Sequence, residues 1–515
     1  MDNSKPDSET PRWWIAKLLL AIAAGAIIYG RFIREGSHQD KNIRTMIIVV
    51  LLAALLFLWS LLASGFRWKT RGLILLSVAA VGGTLFGLFH VKGFSGDLWP
   101  IFEPRWTKTV IVAAPKPEAK TNSVVPPPAF DYPQFGGPER NGVVPALPLA
   151  TNWTANPPKE LWRHAVGAGW SGFATRGNLA ITQEQRGDQE CVVGYQLRTG
   201  IEVWNHHDTE RHYSTLGGEG PRATPTISGD SVYTLGGNGI LNCLKVETGA
   251  VRWSHPILLE TKSGNASWGL SSSPLVFSNL VVVSVGAQPE QSVIAHRADT
   301  GERAWAGGNE SVGYSSPVLA TLAGVPQILV FNNNAAAAHS PADGQVLWRF
   351  PRTSNHPHAA NPLLVSSNLV LFSSGYGYGS ELYEISKEQD KLKARLVYKT
   401  NRLKSKFANL ILKDGHIYGL DDGIMVCLTA ATGDLKWKEG RYGHGQLILC
   451  GNYLIVMAES GDVILVDPQP DALHEVTRFS ALKGKTWNPP ALAGDILIVR
   501  TDVEAAAFQL PLVGK

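Results

Sequence analysis

Leu197-Arg-Thr-Gly-Ile-Glu-Val-Trp204 is the first of five copies of a short pattern that organises the second half of this 515-residue chain. The other copies are Val246-Glu-Thr-Gly-Ala-Val-Arg-Trp253, Ala298-Asp-Thr-Gly-Glu-Arg-Ala-Trp305, Pro341-Ala-Asp-Gly-Gln-Val-Leu-Trp348 and Ala430-Ala-Thr-Gly-Asp-Leu-Lys-Trp437. Each copy predicts a strand, a Thr-Gly or Asp-Gly turn and a return strand carrying Trp, because Gly supplies the positive φ of a tight turn. Self-similarity at this period is typical of a propeller or another repeat array.

The spacing of the copies gives the number of repeats. The tryptophans fall 49, 52 and 43 residues apart, and the next gap of 89 residues holds two repeats, with Tyr398 at the missing Trp position. A degraded copy runs from Leu465 to Phe479. The return strand around Trp162 lacks its partners, and the strands of Ala491–Leu510 lack a return strand. We therefore predict an all-β, eight-bladed propeller of four-stranded blades, with the last blade closed by both ends of the domain, which leaves few sheet edges exposed.

The N-terminal region has a different composition. Apolar runs at about residues 13–30, 46–64 and 72–91 are each long enough to cross a bilayer as a helix. The first run resembles a signal peptide, but two more runs follow it and no clear small-residue cleavage site does, so we expect it to be retained. The sequence thus predicts a cytoplasmic tail (1–12), a membrane anchor (13–91), a Pro-rich linker (92–158) and the propeller (159–511).

The charges beside the helices give a weak indication of orientation. One side would carry Lys5, Arg12, Lys17, Arg67, Lys69 and Arg71, and the other Arg31, Arg34, Lys41 and Arg44. This bias favours an N-terminus on the cytoplasmic side and a propeller on the outer, periplasmic face of a bacterial inner membrane.

Composition and motifs exclude several classes of function. A net charge of +4 with 17% charged residues, and no basic stripe, argue against nucleic-acid binding. Nucleotide-binding glycine loops, calcium loops and zinc motifs are absent from the sequence. Asn205-His206-His207-Asp208 with His212 reads as a polar loop and Asp421-Asp422-Gly423 as a turn. We expect Cys191, Cys243, Cys427 and Cys450 to be buried small hydrophobes. The sequence predicts no metal site and no catalytic residue.

Each Trp-bearing outer strand must be followed by a crossing to the innermost strand of the next blade, on the face opposite the Thr-Gly turns. These crossings are rich in aromatic, basic, His, Ser and Asn residues, which is typical of a small-ligand or peptide site around a funnel. A hydrated channel would also favour small polar residues, so this alternative stays open. The candidate binding residues are Trp170, Arg222, Trp268, Ser271, Tyr314, Ser315, His358, Asn361, Lys404, Lys406, Tyr442, His444, Trp487 and Asn488.

The Thr-Gly-x-x-x-Trp repeat resembles that of the pyrroloquinoline quinone (PQQ)-like β-propeller superfamily, over about Asp131 to Leu510. That superfamily includes the quinoprotein alcohol dehydrogenases and the lipoprotein of the outer-membrane β-barrel assembly machine. A bacterial subgroup without an agreed activity is similar in longer stretches. These are Tyr132–Gly142, Gly220–Thr226, Gly440–Gln446 and Gly484–Leu492.

The resemblance implies two alternative functions. Quinoprotein alcohol dehydrogenases hold PQQ between a Trp and a disulfide of adjacent cysteines, bind Ca²⁺ through carboxylate and Asn oxygens, and use an Asp base. This chain has no adjacent cysteines, and the short segments of the eight crossings that carry the candidate residues hold no Asp or Glu, although Trp268 or Trp487 could stack on a quinone. We therefore expect a non-catalytic scaffold that binds a protein or small molecule and needs no cofactor, with a PQQ-dependent oxidoreductase as the alternative.

Overall fold

The computed structural model describes residues 11–34, 36–107, 126–352 and 357–514. It divides into two compact units, Met1–Thr109 and Val110–Lys515.

The first unit holds three helices that are long and apolar enough to cross a membrane. They are Trp13–Ile28, which continues as a π-helical turn over Tyr29–Ile33, then His38–Leu62 and Trp68–Leu88. At most 11% of the most apolar window of each helix is buried within the protein, so their apolar side chains face outwards. An all-round apolar surface of this length matches the thickness of a bilayer core.

The second helix starts earlier than the hydropathy of the sequence predicts. Ser37 accepts a hydrogen bond from the Asp40 N–H through Oγ (3.1 Å), and the Asp40 carboxylate accepts one from the Ser37 N–H (3.3 Å). This reciprocal capping box fixes the start of the helix at His38, several polar residues before the apolar run begins.

The third helix ends at Leu88, and a two-stranded hairpin of Phe89–Phe94 and Pro100–Pro104 follows it. Much of this hairpin lies where the sequence predicts a linker. Lys92 pairs with Glu103 across the two strands at 2.8 Å.

The second unit is an eight-bladed propeller, as predicted, and each blade is a four-stranded antiparallel sheet numbered here in chain order. Blades 1 to 4 consist of Ala174–Arg176, Leu179–Arg186, Gln189–Gln196 and Glu202–Asp208; Thr226–Ser228, Ser231–Leu235, Ile240–Lys245 and Val251–Pro256; Leu275–Phe277, Leu280–Ala287, Gln291–Arg297 and Arg303–Gly307; and Val318–Leu322, Val325–Phe331, Ala335–His339 and Val346–Pro351.

Blades 5 to 8 complete the ring. They consist of Leu363–Leu364, Leu369–Ser374, Gly379–Glu388 and Lys391–Thr400; Ile411–Lys413, His416–Asp421, Ile424–Thr429 and Leu435–Arg441; Gln446–Cys450, Tyr453–Met457, Asp462–Asp467 and His474–Ser480; and Ala491–Ala493, Ile496–Arg500, Glu504–Gln509 and Lys159–Ala165. The fourth strand of blade 8 comes from the N-terminal end of the propeller, which confirms the predicted closure. The short pair Tyr213–Ser214 and Gly218–Glu219 and the helical turn Ile257–Glu260 lie between blades.

The repeated Trp occupies one equivalent position between blades. Its indole N–H donates to a carbonyl three residues before the turn Gly of the next blade. The bonds are Trp162 to Leu197, Trp204 to Val246, Trp253 to Ala298 and Trp305 to Pro341, at 2.8 to 3.1 Å. Tyr398 makes the same bond to the Ala430 carbonyl through its hydroxyl (3.1 Å), which confirms its predicted role. These five bonds tie blade 8 to blade 1, each of blades 1 to 3 to the next blade, and blade 5 to blade 6.

Glycine is required in these turns for a second reason. The Trp253 ring lies over Gly301, which has a φ of +78°, and a Cβ built on that glycine would lie 2.7 Å from the ring. Any larger residue would push the two blades apart. Blade 5 has no such turn, and Trp348 donates instead to Gln327 within its own blade (2.6 Å).

The segment before the propeller differs from the predicted linker. Residues 126–158 pack into the propeller, and Val143–Val144 adds a parallel strand to the inner edge of blade 7. Leu149 and Trp153 are buried in its core. The prolines that favour an extended chain also remove N–H donors, which suits a segment that runs between blades and forms few regular sheet bonds. All four cysteines are buried, as predicted, and none of them forms a disulfide.

Candidate functional site

Two sets of connections meet at one end of the propeller. The crossings between blades lie there, and so do the turns between the second and third strands, because the chain reverses direction with each antiparallel strand. The Thr-Gly turns lie at the opposite end. We call the end with the crossings the crossing face.

The channel is filled from the opposite end by residues 131–144, which we call the plug. Its backbone pairs with the first strands of blade 1, where the Thr175 N–H donates to the Tyr132 carbonyl (2.8 Å), and of blade 7, where the Leu449 N–H donates to the Gly142 carbonyl (2.8 Å). Tyr132 is 3% exposed. Blades 1 and 7 lie on either side of blade 8 in the ring, so these bonds hold the plug to one side of the channel.

Arg140 fixes the inner end of the plug. Its guanidinium donates to the carbonyls of Pro274 (2.9 Å) and Ser273 (3.0 Å) and to the Gln134 side chain (3.0 Å). Burial lowers the pKa of Arg140 to about 9. Because these carbonyls belong to the crossing into blade 3, Arg140 ties the plug to the floor of the crossing face.

Small polar residues two positions before the inner strands link neighbouring crossings. The Gly172 N–H donates to Thr224 Oγ1 (3.1 Å), and the Thr224 N–H to Ser273 Oγ (2.9 Å). The Ser273 N–H donates to Ser316 Oγ, and the Ser316 N–H to Asn361 Oδ1, each at 2.9 Å. Repeated from blade 1 to blade 5, this ladder satisfies backbone donors that no strand reaches.

Several predicted site residues take part in such structural bonds. Asn361 belongs to the ladder, and Asn488 donates to the carbonyls of Gly169 and Ser171, joining blade 8 to blade 1. Ser315 Oγ donates to the Phe331 carbonyl (3.1 Å). These side chains thus stabilise the connections between blades of the propeller.

His358, Ser271 and Tyr442 are also engaged by neighbouring groups. His358 is fully buried, stacks on Phe331 with ring centroids 4.2 Å apart, and lies 2.8 Å from Ser374 Oγ through Nδ1. Ser271 Oγ donates to the Tyr314 carbonyl (3.2 Å), and the Tyr442 hydroxyl donates to Glu475 on the outer strand of blade 7 (3.1 Å).

Trp170, in the crossing into blade 1, and Trp487, in the crossing into blade 8, form an aromatic trough. Their ring centroids are 4.9 Å apart and their planes are inclined by 38°. Phe407 extends the aromatic surface, with its centroid 5.2 Å from that of Trp487. The ammonium nitrogen of Lys485 lies 4.0 Å from the Trp487 centroid and 4.7 Å from the Trp170 centroid. Both distances are within the range of a cation–π contact.

Glu459, in the turn between the second and third strands of blade 7, supports the trough. Its Oε1 accepts the Trp487 indole N–H (3.0 Å), and its Oε2 accepts the His444 N–H (2.9 Å). His444 Nε2 lies 3.1 Å from the ammonium of Lys406. Three predicted site residues, Trp487, His444 and Lys406, are therefore brought together here.

Trp268, Tyr314 and Arg222 form a second group. The rings of Trp268 and Tyr314 are 5.2 Å apart. Arg222 donates to Ser214 Oγ (3.0 Å) and to the carbonyls of Gly218 (3.3 Å) and Gly220 (2.9 Å), all of them neutral partners. Burial lowers the pKa of this guanidinium to about 10.

Lys404 serves a different purpose from the one predicted. Its ammonium lies 2.5 Å from Asp421, which is fully buried and also accepts from Lys438 (2.7 Å). Burial alone would raise the pKa of Asp421, but the two lysines outweigh it and hold that pKa below its usual value. The turn predicted at Asp421-Asp422-Gly423 is present, and it neutralises Lys404.

The sequence reasoning missed Glu459 and Tyr376, which lie in turns between second and third strands. Tyr376 has a φ of +58°, which is uncommon for a bulky residue, and its ring lies 5.4 Å from the Lys406 ammonium. Counting strands would have found both, because these turns return to the crossing face. Phe407 and Lys485 lie in predicted crossings. They are one residue from Lys406 and two residues from Trp487, which are both predicted site residues.

A sequence profile of the family described as "Outer membrane protein assembly factor BamB" matches residues 143–306, 192–439 and 333–487, which together span two thirds of the chain. The chain belongs to this family of PQQ-like propellers. No curated protein sequence matches it.

Solved structures are similar to this chain at low sequence identity. The quinohemoprotein alcohol dehydrogenase from Comamonas testosteroni is 10% identical, with a TM-score of 0.53 over 75% of this chain and 82% of that one. The computationally designed Ika8 protein is 14% identical, with a TM-score of 0.51 over 68% and 100%. BamB from Moraxella catarrhalis is 15% identical, with a TM-score of 0.48 over 68% and 98%.

The residues of the crossing face do not fit the calcium–quinone site of the dehydrogenases. Within the described ranges, no three His, Cys, Asp or Glu side chains are grouped as metal ligands. The cysteines lie apart in buried strands. Asp421 is held between two lysines, and Glu459 is hydrogen-bonded to Trp487 and His444.

Proposed function

We propose that this protein is a membrane-anchored, non-catalytic recognition module that binds a protein segment or small molecule on the crossing face. The observation that carries the proposal is the plug. It enters the channel from the Thr-Gly end, so the surface left for a ligand is the crossing face, which carries Trp170, Trp487, Trp268 and Arg222. Rigid aromatic rings with a few polar groups are typical of binding sites.

The location belongs to the same proposal. The three apolar helices anchor the chain in the inner membrane of a bacterium, with the propeller on the outer face. The weak excess of Lys and Arg beside the N-terminus supports this orientation. A reporter enzyme that is active only outside the cytoplasm should be active when it is fused after Lys515. An inactive fusion would indicate the opposite orientation, with the propeller in the cytoplasm.

Photo-cross-linking from the two ends of the propeller tests the function. A photoreactive amino acid is placed at Trp268 or Lys483 on the crossing face, and at the exposed Thr248 or Thr432 on the Thr-Gly end, in the full chain in native membranes. The proposal predicts one discrete adduct from the crossing face that is lost in Trp487→Ala. An adduct obtained from the Thr-Gly end instead, or none from the crossing face, would refute it.

The alternative is a quinoprotein oxidoreductase, which the aromatic surfaces of Trp268 and Trp487 favour as stacking platforms. Titration of the full chain in detergent with PQQ, with and without Ca²⁺, followed by a dye-coupled alcohol oxidation assay, separates the two functions. Saturable binding with turnover, lost in Trp268→Ala or Trp487→Ala, would establish the alternative, and we expect neither binding nor turnover.

A further inference from the structure

We propose that the trough between Trp170 and Trp487 is a binding site for an alkylammonium group, and that Lys485 occupies it as an internal stand-in that the ligand displaces. The inference rests on the proposed function, because it names the class of ligand that the crossing face recognises. Its chemistry covers a lysine side chain of a partner and a quaternary ammonium head group, which share a cation on an alkyl stem.

The trough is built before any ligand arrives. The Trp170 indole N–H is bonded to the Gly217 carbonyl, and the Trp487 indole N–H to Glu459 Oε1. Bonds at both N–H groups hold the two rings at their mutual angle of 38°, with the Lys485 ammonium over both of them. A rigid pair of aromatic faces reduces the entropic cost of binding.

The electrostatics of the trough favour a cation. The faces of both Trp rings are negative, and Trp attracts cations more strongly than Phe or Tyr does. Glu459 places a carboxylate at the edge of Trp487, which adds negative charge beside the ring. The observed position of the Lys485 ammonium, 4.0 and 4.7 Å from the two centroids, shows that the trough accommodates an alkylammonium.

Lys485 is placed so that it can leave. It follows Lys483 and Gly484, which are both exposed, and a Cβ built on Gly484 meets no atom within 4 Å. Movement of this short loop therefore requires no repacking of the core. The next residue, Thr486, is anchored by its N–H to the Glu459 carbonyl (2.9 Å), so Trp487 would stay in place as Lys485 swings out.

Competition by Lys485 gives the inference its distinctive consequence. While the Lys485 ammonium is in the trough, an external cation cannot bind there. The apparent affinity for that cation is therefore reduced in proportion to the fraction of molecules in which the trough is empty. Lys485→Met removes this ammonium and should therefore tighten the binding of an external ammonium at least tenfold, because a cation–π contact alone is worth about that factor. A merely structural Lys485 would give the opposite result or none.

The experiment is a calorimetric titration of the full chain in detergent with three probes. Choline represents a quaternary ammonium, Nα-acetyl-lysine amide represents a lysine side chain, and 3,3-dimethylbutanol is the uncharged isostere of choline. We expect at least one cation to bind more tightly to Lys485→Met than to the wild type, and the isostere to bind to neither. The cation that binds identifies the source of the ligand.

Variants of the trough provide controls. Trp487→Ala should abolish cation binding. Trp487→Phe keeps an aromatic face and should retain part of the binding, so it replaces Trp487→Ala in the test if that variant fails to fold. Failure of both cations to bind Lys485→Met, or equal binding of the isostere, would overturn the inference. The recognition function would survive that failure if the cross-link from Trp268 or Lys483 still formed.

Discussion

Arg500 of blade 8 donates from Nη1 to Thr182 Oγ1 of blade 1 over 2.9 Å. The same guanidinium reaches the carbonyls of Gln183 (3.2 Å) and Gly167 (3.0 Å), and Arg500 is 1% exposed. These bonds cross the junction at which the two ends of the propeller close the ring. Neutral acceptors satisfy the buried cation, and burial lowers its pKa.

We expect Arg500→Met to destabilise the propeller by about 2–4 kcal/mol, because it leaves several buried acceptors without donors. Arg500→Lys should recover less than half of the loss, since an ammonium cannot reproduce the planar fork of donors. Denaturant unfolding of the full chain in detergent, followed by tryptophan fluorescence, measures both. A loss within 0.5 kcal/mol of wild type for Arg500→Met would show that ring closure does not depend on this residue.

Gly301→Ala tests the contact between neighbouring blades. The new methyl group would lie 2.7 Å from the Trp253 ring, so we expect a loss of about 2–3 kcal/mol of unfolding free energy. Gly324→Ala is the matched control, because Gly324 has a similar φ of +75° but open space around it. Equal losses in the two variants would assign the effect to backbone strain alone.

Glu190 should make stability depend on pH. Burial, together with Asp208 and Glu210, raises its pKa to about 7, against the Gly237 N–H and Arg222, which lower it. Between its ordinary value of 4.5 and about pH 7, the folded protein keeps a proton that the unfolded chain has released. Stability from this group is therefore complete below pH 4.5 and falls by about 3 kcal/mol as the pH rises to 7.

Glu190→Gln should remove this dependence, so that the variant matches the wild type at pH 4.5 and exceeds its stability at pH 8. Urea midpoints at the two pH values measure the difference. Glu247→Gln, at a side chain that is 66% exposed, serves as the control and should change little. A wild-type protein that is no less stable at pH 8 than Glu190→Gln would contradict the assigned pKa.

Arg140→Met should loosen the plug without unfolding the blades. The substitution removes the bonds to the Pro274 and Ser273 carbonyls, and we expect hydrogen exchange across residues 131–144 to become at least tenfold faster. The exposed Arg297→Met is the control and should leave that exchange unchanged. Unaltered protection of the plug in Arg140→Met would show that its backbone pairing alone holds it.

The repeat was predictable because its signals are local. The spacing of the Trp residues gives eight blades, and Tyr398 at the Trp position is recognisable within a few residues. The plug was not predictable in this way. Its composition is that of a linker, and Arg140 reaches an acceptor 134 residues away, a contact with no local pattern. Composition likewise could not separate framework residues such as Asn361 from Trp487, because both types occur in the same crossings.

The central claim is that ligands occupy the crossing face in the native membrane, and cysteine accessibility tests it most directly. The native cysteines should react little with a maleimide, because all four are buried and burial raises the pKa of their thiols, to about 11 for Cys191. Single cysteines at the exposed Lys483 and Thr300 report on the two ends. We predict that Lys483→Cys reacts with a maleimide several-fold more slowly in native membranes than after purification, while Thr300→Cys reacts equally in both. Equal rates at Lys483→Cys, or protection confined to Thr300→Cys, would contradict the account.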